Sequence, residues 1–178
     1  MKILLTCISL FFFLSGSVYA GVSEKVLAKL LVKLELQTRA VIASKFSKSK
    51  GDNKEFMIEH TILPAAVADP IFSRIVPQNT DDRAWVKMVV DKPRNPNNRG
   101  DEVAMRMIDS LKQDKVKYVE QDLADAYYYA EPIVATKACL ECHGNPKGAP
   151  DPHFAEYRLE GWKVDDVIGG VVARVAKD

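Results

Sequence analysis

Apolar residues recur every three or four positions between residues 26 and 46, at Val26, Leu27, Leu30, Leu31, Leu34, Val41 and Ile42. Ser23 is a suitable N-cap, Glu24 suits the positive end of a helix dipole, and Lys45, Lys48 and Lys50 suit the other end. Gly51 stops the run, so the pattern predicts one long helix of about 24 residues. Its apolar stripe fits packing on its own domain or pairing with a second copy in a homodimer. Residues 54–75 keep a helical pattern, but Pro64 and Pro70 interrupt it, which predicts two short helices or one kinked helix. Residues 85–90 alternate and are rich in strand formers. Residues 92–100 read as a stiff polar loop, and Asp101 can cap a helix whose apolar face is Val103, Met107, Ile108 and Leu111. Residues 117–120 and 126–135 read as strands joined by 121–125, and 167–176 as a final strand. Helices first and closely spaced strands later predict an α+β fold with an antiparallel sheet. No internal repeat or linker divides residues 21–178, which read as a single domain.

The first twenty residues read differently. Lys2 precedes an apolar run over residues 3–14, Ser15-Gly16-Ser17 breaks it, and Val18-Tyr19-Ala20 ends in a small residue. This is the pattern of a secretory signal peptide cleaved after Ala20, which predicts a periplasmic protein with no membrane span after cleavage. The run is short for a membrane anchor. Cleavage removes Cys7 and leaves Cys139 and Cys142 in an oxidising compartment.

Composition narrows the classes. The 178 residues are 47% hydrophobic and 28% charged, ordinary globular usage that excludes a disordered chain. With 25 Lys plus Arg against 24 Asp plus Glu, the net charge of +1 offers no basic field for nucleic acid.

The candidate chemistry is Cys139-Leu140-Glu141-Cys142-His143, a C-x-x-C-H sequence and the attachment signature of c-type haem. Two thiols are needed because each forms a thioether with one haem vinyl group, and the adjacent histidine then reaches the iron as proximal ligand. A disulfide between the cysteines is the first competing reading, but the βαβ pattern of thioredoxin-like sites is absent. A zinc site is the second, and only His60 and His153 remain to complete four ligands.

Other segments carry a resemblance. They are Arg94-Asn95-Pro96-x-Asn98, Tyr127-Tyr128-Tyr129-Ala130-Glu131-Pro132, the attachment motif with Gly144, and a closing Gly169-Gly170-Val171-Val172-Ala173. In this order they resemble the exported single-haem c-type domains with a PAS-like fold, over about residues 23–178. The resemblance implies long N-terminal helices followed by an antiparallel PAS-like sheet with a covalently attached haem. Some members have an unusual cysteine as second axial ligand in the helical region. This chain departs there, having no cysteine between Gly21 and Lys137.

His60 lies near where that cysteine falls, and Pro64 cannot donate to its carbonyl, so a break there can turn the ring toward the haem. His60 is therefore the leading second metal ligand beside His143. Met57, Met88, Met105 and Met107 are thioether alternatives, and an open or water-bound iron is another. Arg94 is a candidate partner for the haem propionates. Tyr127 and Tyr129 share one strand face and are candidates to line the haem pocket, with ordinary sheet packing as the competing reading.

The leading functional expectation is a periplasmic monohaem cytochrome that transfers electrons or senses redox state through a redox partner protein. The alternative is a haem-based gas sensor acting through a partner protein. A haem enzyme is the weakest reading, because there is one attachment motif and no evident distal acid–base pair.

Overall fold

Ser23 caps the first helix as its sequence predicts, its Oγ accepting from the Val26 amide at 3.4 Å, and α1 runs Glu24–Lys48 in the computed structural model, which describes residues 22–177. The expected signal peptide lies outside the described residues. The helix ends at Ser49, whose amide donates to the Lys45 and Phe46 carbonyls; Gly51, at φ 50°, instead opens α2 (Asp52–Glu59). The chain then breaks. Pro64 takes the first position of α3 (Pro64–Asn79), where its missing N–H costs nothing. Two helices thus form, but Pro70 does not interrupt the second: α3 carries Pro70 and Pro77 within it.

Four strands follow the helical segment: β1 (Ala84–Val89), β2 (Val119–Asp122), β3 (Ala126–Val134) and β4 (Val167–Ala176). All neighbours are antiparallel, in the order β1-β4-β3-β2. β2 begins and ends two residues later than its pattern predicts, so the turn before β3 is only 123–125. α4 (Glu102–Asp114) lies between β1 and β2, capped by Asp101, whose Oδ1 accepts from the Ala104 amide at 2.8 Å. The fold is α+β.

The sheet is covered on both faces, which is why β3 is buried from Ala126 to Glu131. On one face Tyr127, Tyr129, Val171, Ala173 and Val86 pack with Ala28, Leu31 and Val32 of α1 and Val76 of α3. On the other, Tyr128, Ala130, Val172 and Val89 pack with Met107, Ile108 and Leu111 of α4. Gly170 permits this second contact: a Cβ there would come within 2.8 Å of the Glu131 carbonyl oxygen and of Ile108. Among the described residues no helix is long and apolar enough to cross a membrane.

α1 departs from its sequence pattern in the face it buries. Ala28, Leu31, Val32, Glu35, Arg39 and Phe46 turn inward, while Val26, Leu30, Leu34 and Val41 stay exposed. Apolar residues occur on both sides of this helix, so periodicity alone could not choose between them. The inward polar pair is a network: Arg39 Nε and Nη2 donate to Glu35 Oε1 at 3.1 and 3.0 Å, and Nη2 also pairs with Asp69 of α3. Asn98 Nδ2 donates to Asp69 Oδ2 at 3.1 Å, joining the Arg-Asn-Pro loop to the helices.

Glu35 is fully buried, and its Oε2 has no hydrogen-bond partner. Burial pushes its pKa up to about 7, against the pull of the Arg39 guanidinium, with Asp69 adding to the rise. The folded state therefore holds this proton more tightly than the unfolded chain does. Its stabilising contribution is complete below the unfolded value near 4.5 and is lost as pH rises to about 7. The expected loss over that window is at most ~3 kcal/mol. Glu35→Gln should flatten this part of the profile in denaturant titrations at pH 4.5 and 7.5. A variant that retains the wild-type slope would contradict the assignment.

Candidate functional site

The attachment motif follows β3 directly. Ala135 continues the strand by exchanging backbone hydrogen bonds with residues 165 and 166: its amide donates to the Asp166 carbonyl at 2.8 Å, and the Asp165 amide donates back at 2.9 Å. A short 3₁₀ turn, Lys137–Cys139, then leads into the single turn α5 (Leu140–His143). The two cysteines are unpaired thiols. Cys139 is half-buried, and its Sγ accepts from the Thr136 amide at 3.4 Å. Cys142 is buried, and that burial, followed by the nearby Asp151 carboxylate, pushes its thiol up to about 11. It stays a neutral thiol at pH 7.

His143 is held on two sides by one tripeptide. Its Nδ1 lies 2.8 Å from Glu160 Oε2, and its ring stacks on Trp162 with centroids 4.3 Å apart and planes 14° from parallel. Gly161 between them sits at φ 81°, a conformation that glycine adopts without strain. Its amide donates to the His143 and Gly144 carbonyls at 3.1 and 2.9 Å, and the Trp162 amide donates to the His143 carbonyl at 3.0 Å. Burial lowers the His143 pKa, with the Glu160 hydrogen bond opposing it, and the net result is below the ordinary histidine value. An ionised carboxylate can only accept, so the neutral ring carries its proton on Nδ1 and leaves the Nε2 lone pair free.

Arg94 has a different task from the one its sequence position suggests. Its Nε and Nη2 grip Glu160 at 2.7 and 2.9 Å, Nη1 donates to Asp151 at 2.7 Å, and Nη2 also donates to the Cys142 and Arg158 carbonyls at 2.7 and 3.1 Å. Its guanidinium also lies 4.9 Å from the Tyr157 ring centroid. These protein acceptors engage the guanidinium that was expected to meet propionates. Burial tends to raise Asp151 and Glu160, but the hydrogen bonds from Arg94 prevail and hold both below the usual carboxylate range. Asp151 also accepts from the His153 and Phe154 amides at 2.9 and 3.2 Å, which fixes the loop after the motif.

His60 caps the C-terminus of α2. Its Nδ1 is 3.0 Å from the Phe56 carbonyl oxygen, and its ring stacks on Phe56 at 4.0 Å. A carbonyl can only accept, so this ring too leaves Nε2 free. The helix carrying it is tied to the motif, because Lys54 Nζ donates to Glu141 Oε1 at 2.6 Å. Lys54 to His60 is six residues, about 9 Å along a helix.

The remaining predicted residues lie elsewhere. Tyr127 and Tyr129 are buried against α1, their hydroxyls donating to Glu120 and Glu131 at 2.6 and 2.7 Å. At strand rise they stand about 23 and 17 Å along β3 from Val134, and packing between sheet and helix accounts for their burial. Met105 and Met107 belong to the α4 core, and Met57 Sδ accepts from Ser49 Oγ at 3.3 Å. A cavity of about 570 Å³ lined by Lys112, Lys115, Lys117, Val134 and Ile168 reaches the motif's surroundings at Trp162, Asp165 and Asp166. Glu160, Asp151 and Trp162 were not foreseen. They are loop residues whose distance in sequence from His143 follows no fixed spacing.

Comparison with known proteins bears on the family and the fold. No curated protein matches the chain. The crystal structure of the cyanobacterial haem protein Tll0287 superposes with a TM-score of 0.64 at 18% identity, over 84% of this chain and 92% of that one, which shows a shared fold. The Tll0287-like family model matches residues 20–176, nearly the whole described chain, and the protein therefore belongs to the Tll0287-like family.

Proposed function

We propose that the chain is an exported monohaem c-type cytochrome that transfers electrons or senses redox state. The observation that carries this reading is the state of His143. It directly follows two free thiols, and Glu160 holds its Nδ1 proton so that Nε2 is free to bind iron. The donor set fits haem c, and the related protein Tll0287 is itself a haem protein.

Cys139 and Cys142 would hold the haem, each by addition of its thiol S–H across one vinyl group, so that one C–S and one C–H bond form with no net oxidation or reduction. Arg94 fixes the loop by holding the Cys142 carbonyl, and Lys54 docks α2 on Glu141. His143 would hold the iron through its free Nε2, and His60, with its own Nε2 free, would hold it as a second nitrogen ligand. Haem bound here contributes a one-electron iron couple to be exchanged with a redox partner protein. Two imidazoles hold iron with little change of geometry between oxidation states, which suits a carrier better than a gas sensor.

Denaturing gels of the periplasmic protein, stained for haem, should show a band near the mature mass. A colourless band, or haem that extracts freely into acidified solvent, would overturn the proposal.

A further inference from the structure

The grip on His143 is more elaborate than ring placement requires. Trp162 already fixes the plane of the imidazole, and the two backbone amides that donate to the His143 carbonyl already fix its main chain. A carboxylate at Nδ1 adds something that a backbone carbonyl there would not. It places a full negative charge 2.8 Å from the ring of a half-buried histidine whose side chain is 29% exposed. That charge is kept ionised and aimed by Arg94, which holds both Glu160 oxygens. Arg94 does not cancel it, since Arg94 also serves the buried Asp151 and the three groups together carry one net negative charge.

We infer that Glu160 is a positioning residue of the site that, clamped by Arg94, makes the His143 imidazole a stronger donor and holds the reduction potential of the bound iron low. This rests on the haem-binding reading above. The physics has two parts of the same sign. A carboxylate accepting Nδ1–H raises the basicity of Nε2 and so favours the more positive, oxidised metal. A fixed negative charge beside the ligating ring of a half-buried site favours the oxidised state as well.

Glu160 has a competing, purely architectural role as the partner that seats Arg94. Glu160→Gln separates the two. Glutamine has nearly the same shape, and its carbonyl oxygen can accept from Nδ1, but the charge is gone. The experiment is a spectroelectrochemical titration of wild type and Glu160→Gln, both haem-loaded and at one fixed pH. The variant should attach haem as fully as wild type and show a more positive midpoint. The expected size is on the order of tenfold, the lower end of what outer partners of metal-bound histidines contribute. At the wild-type midpoint the ratio of oxidised to reduced protein should fall from one to about one tenth, equivalent to ~59 mV for a one-electron couple. An unchanged or more negative midpoint with full haem attachment overturns the inference.

If Glu160→Gln does not fold, the wild type decides by proton NMR of the reduced, haem-loaded protein with labelled histidine. A downfield, slowly exchanging Nδ1 proton on His143 supports the inference, and a rapidly exchanging one overturns it. Failure of the wild type to attach haem is a separate result, because it removes the functional reading on which this inference stands.

Discussion

The variant Cys139→Ser/Cys142→Ser should carry no covalent haem at all. Neither hydroxyl can form the thioether, so the haem-stained band should vanish while the protein remains visible by protein stain. The single variants should differ from the double one and from each other. Either remaining thiol can still form one bond, so each should retain a weaker haem band. Cys139 is half-buried at a turn and its Sγ makes only long contacts with the Thr136 amide and hydroxyl, which a serine hydroxyl can also make, so Cys139→Ser should leave the fold unaffected. Cys142 is buried, with its carbonyl held by Arg94, and a hydroxyl there must find a partner or cost about 1–3 kcal/mol. Cys142→Ser should therefore show lower thermal stability as well as weaker attachment. Full haem staining of the double variant would mean that the group is held by other residues.

How far the sequence reaches depends on whether a residue's role is set by its neighbours in the chain. α4 was legible because a capping aspartate and a narrow apolar stripe agree; Met107, Ile108 and Leu111 are all buried as the stripe requires, with Val103 at its edge. β4 was legible to the residue, since a run rich in Val and Ile, interrupted only by Gly169-Gly170 and ending at a polar tail, reads as one strand. α1 was legible as a helix but not in orientation, because a buried Glu35–Arg39–Asp69 network occupies the inward face where apolar periodicity looks for leucines. Pro70 was misread as a breaker. It costs one intrahelical bond, to the carbonyl of Ala66, and the rest of α3 retains enough packing against α1 and β1 to continue.

The site divides in the same way. The proposed attachment motif is local, five consecutive residues, so the sequence alone was enough to single it out. Its supporting part is not. Glu160 and Asp151 reach His143 and Arg94 only because the loop from 144 to 162 folds back on itself through hydrogen bonds such as Leu159 to Ala149 and Gly161 to His143. The Arg-Asn-Pro loop was flagged by resemblance, but its function as a strap, with Arg94 on the motif and Asn98 on α3, follows only from tertiary contacts.

The far side of the iron gives the last expected result. His60→Ala should convert a low-spin, six-coordinate spectrum to a high-spin one and open the reduced protein to stoichiometric carbon monoxide binding, which the wild type should resist. Three observations favour His60. Its Nδ1 is committed to the Phe56 carbonyl, so Nε2 carries the free lone pair, the same tautomer that His143 presents. The helix bearing it is pinned to the motif by Lys54 and Glu141. The residue that follows it, Thr61, sits at φ 55°, a left-handed conformation that a β-branched residue adopts at a cost of roughly 1–3 kcal/mol. Strain of that kind beside a candidate ligand fits a backbone bent to aim a side chain, and Pro64 ensures that no helix continues through the bend. His60→Ala should leave the haem-stained band intact, because the thioethers and His143 are untouched. A wild-type protein that binds carbon monoxide readily, or a variant whose spectrum is unchanged, would exclude the second histidine. Ready binding by the wild type would also favour the gas-sensing alternative over electron transfer.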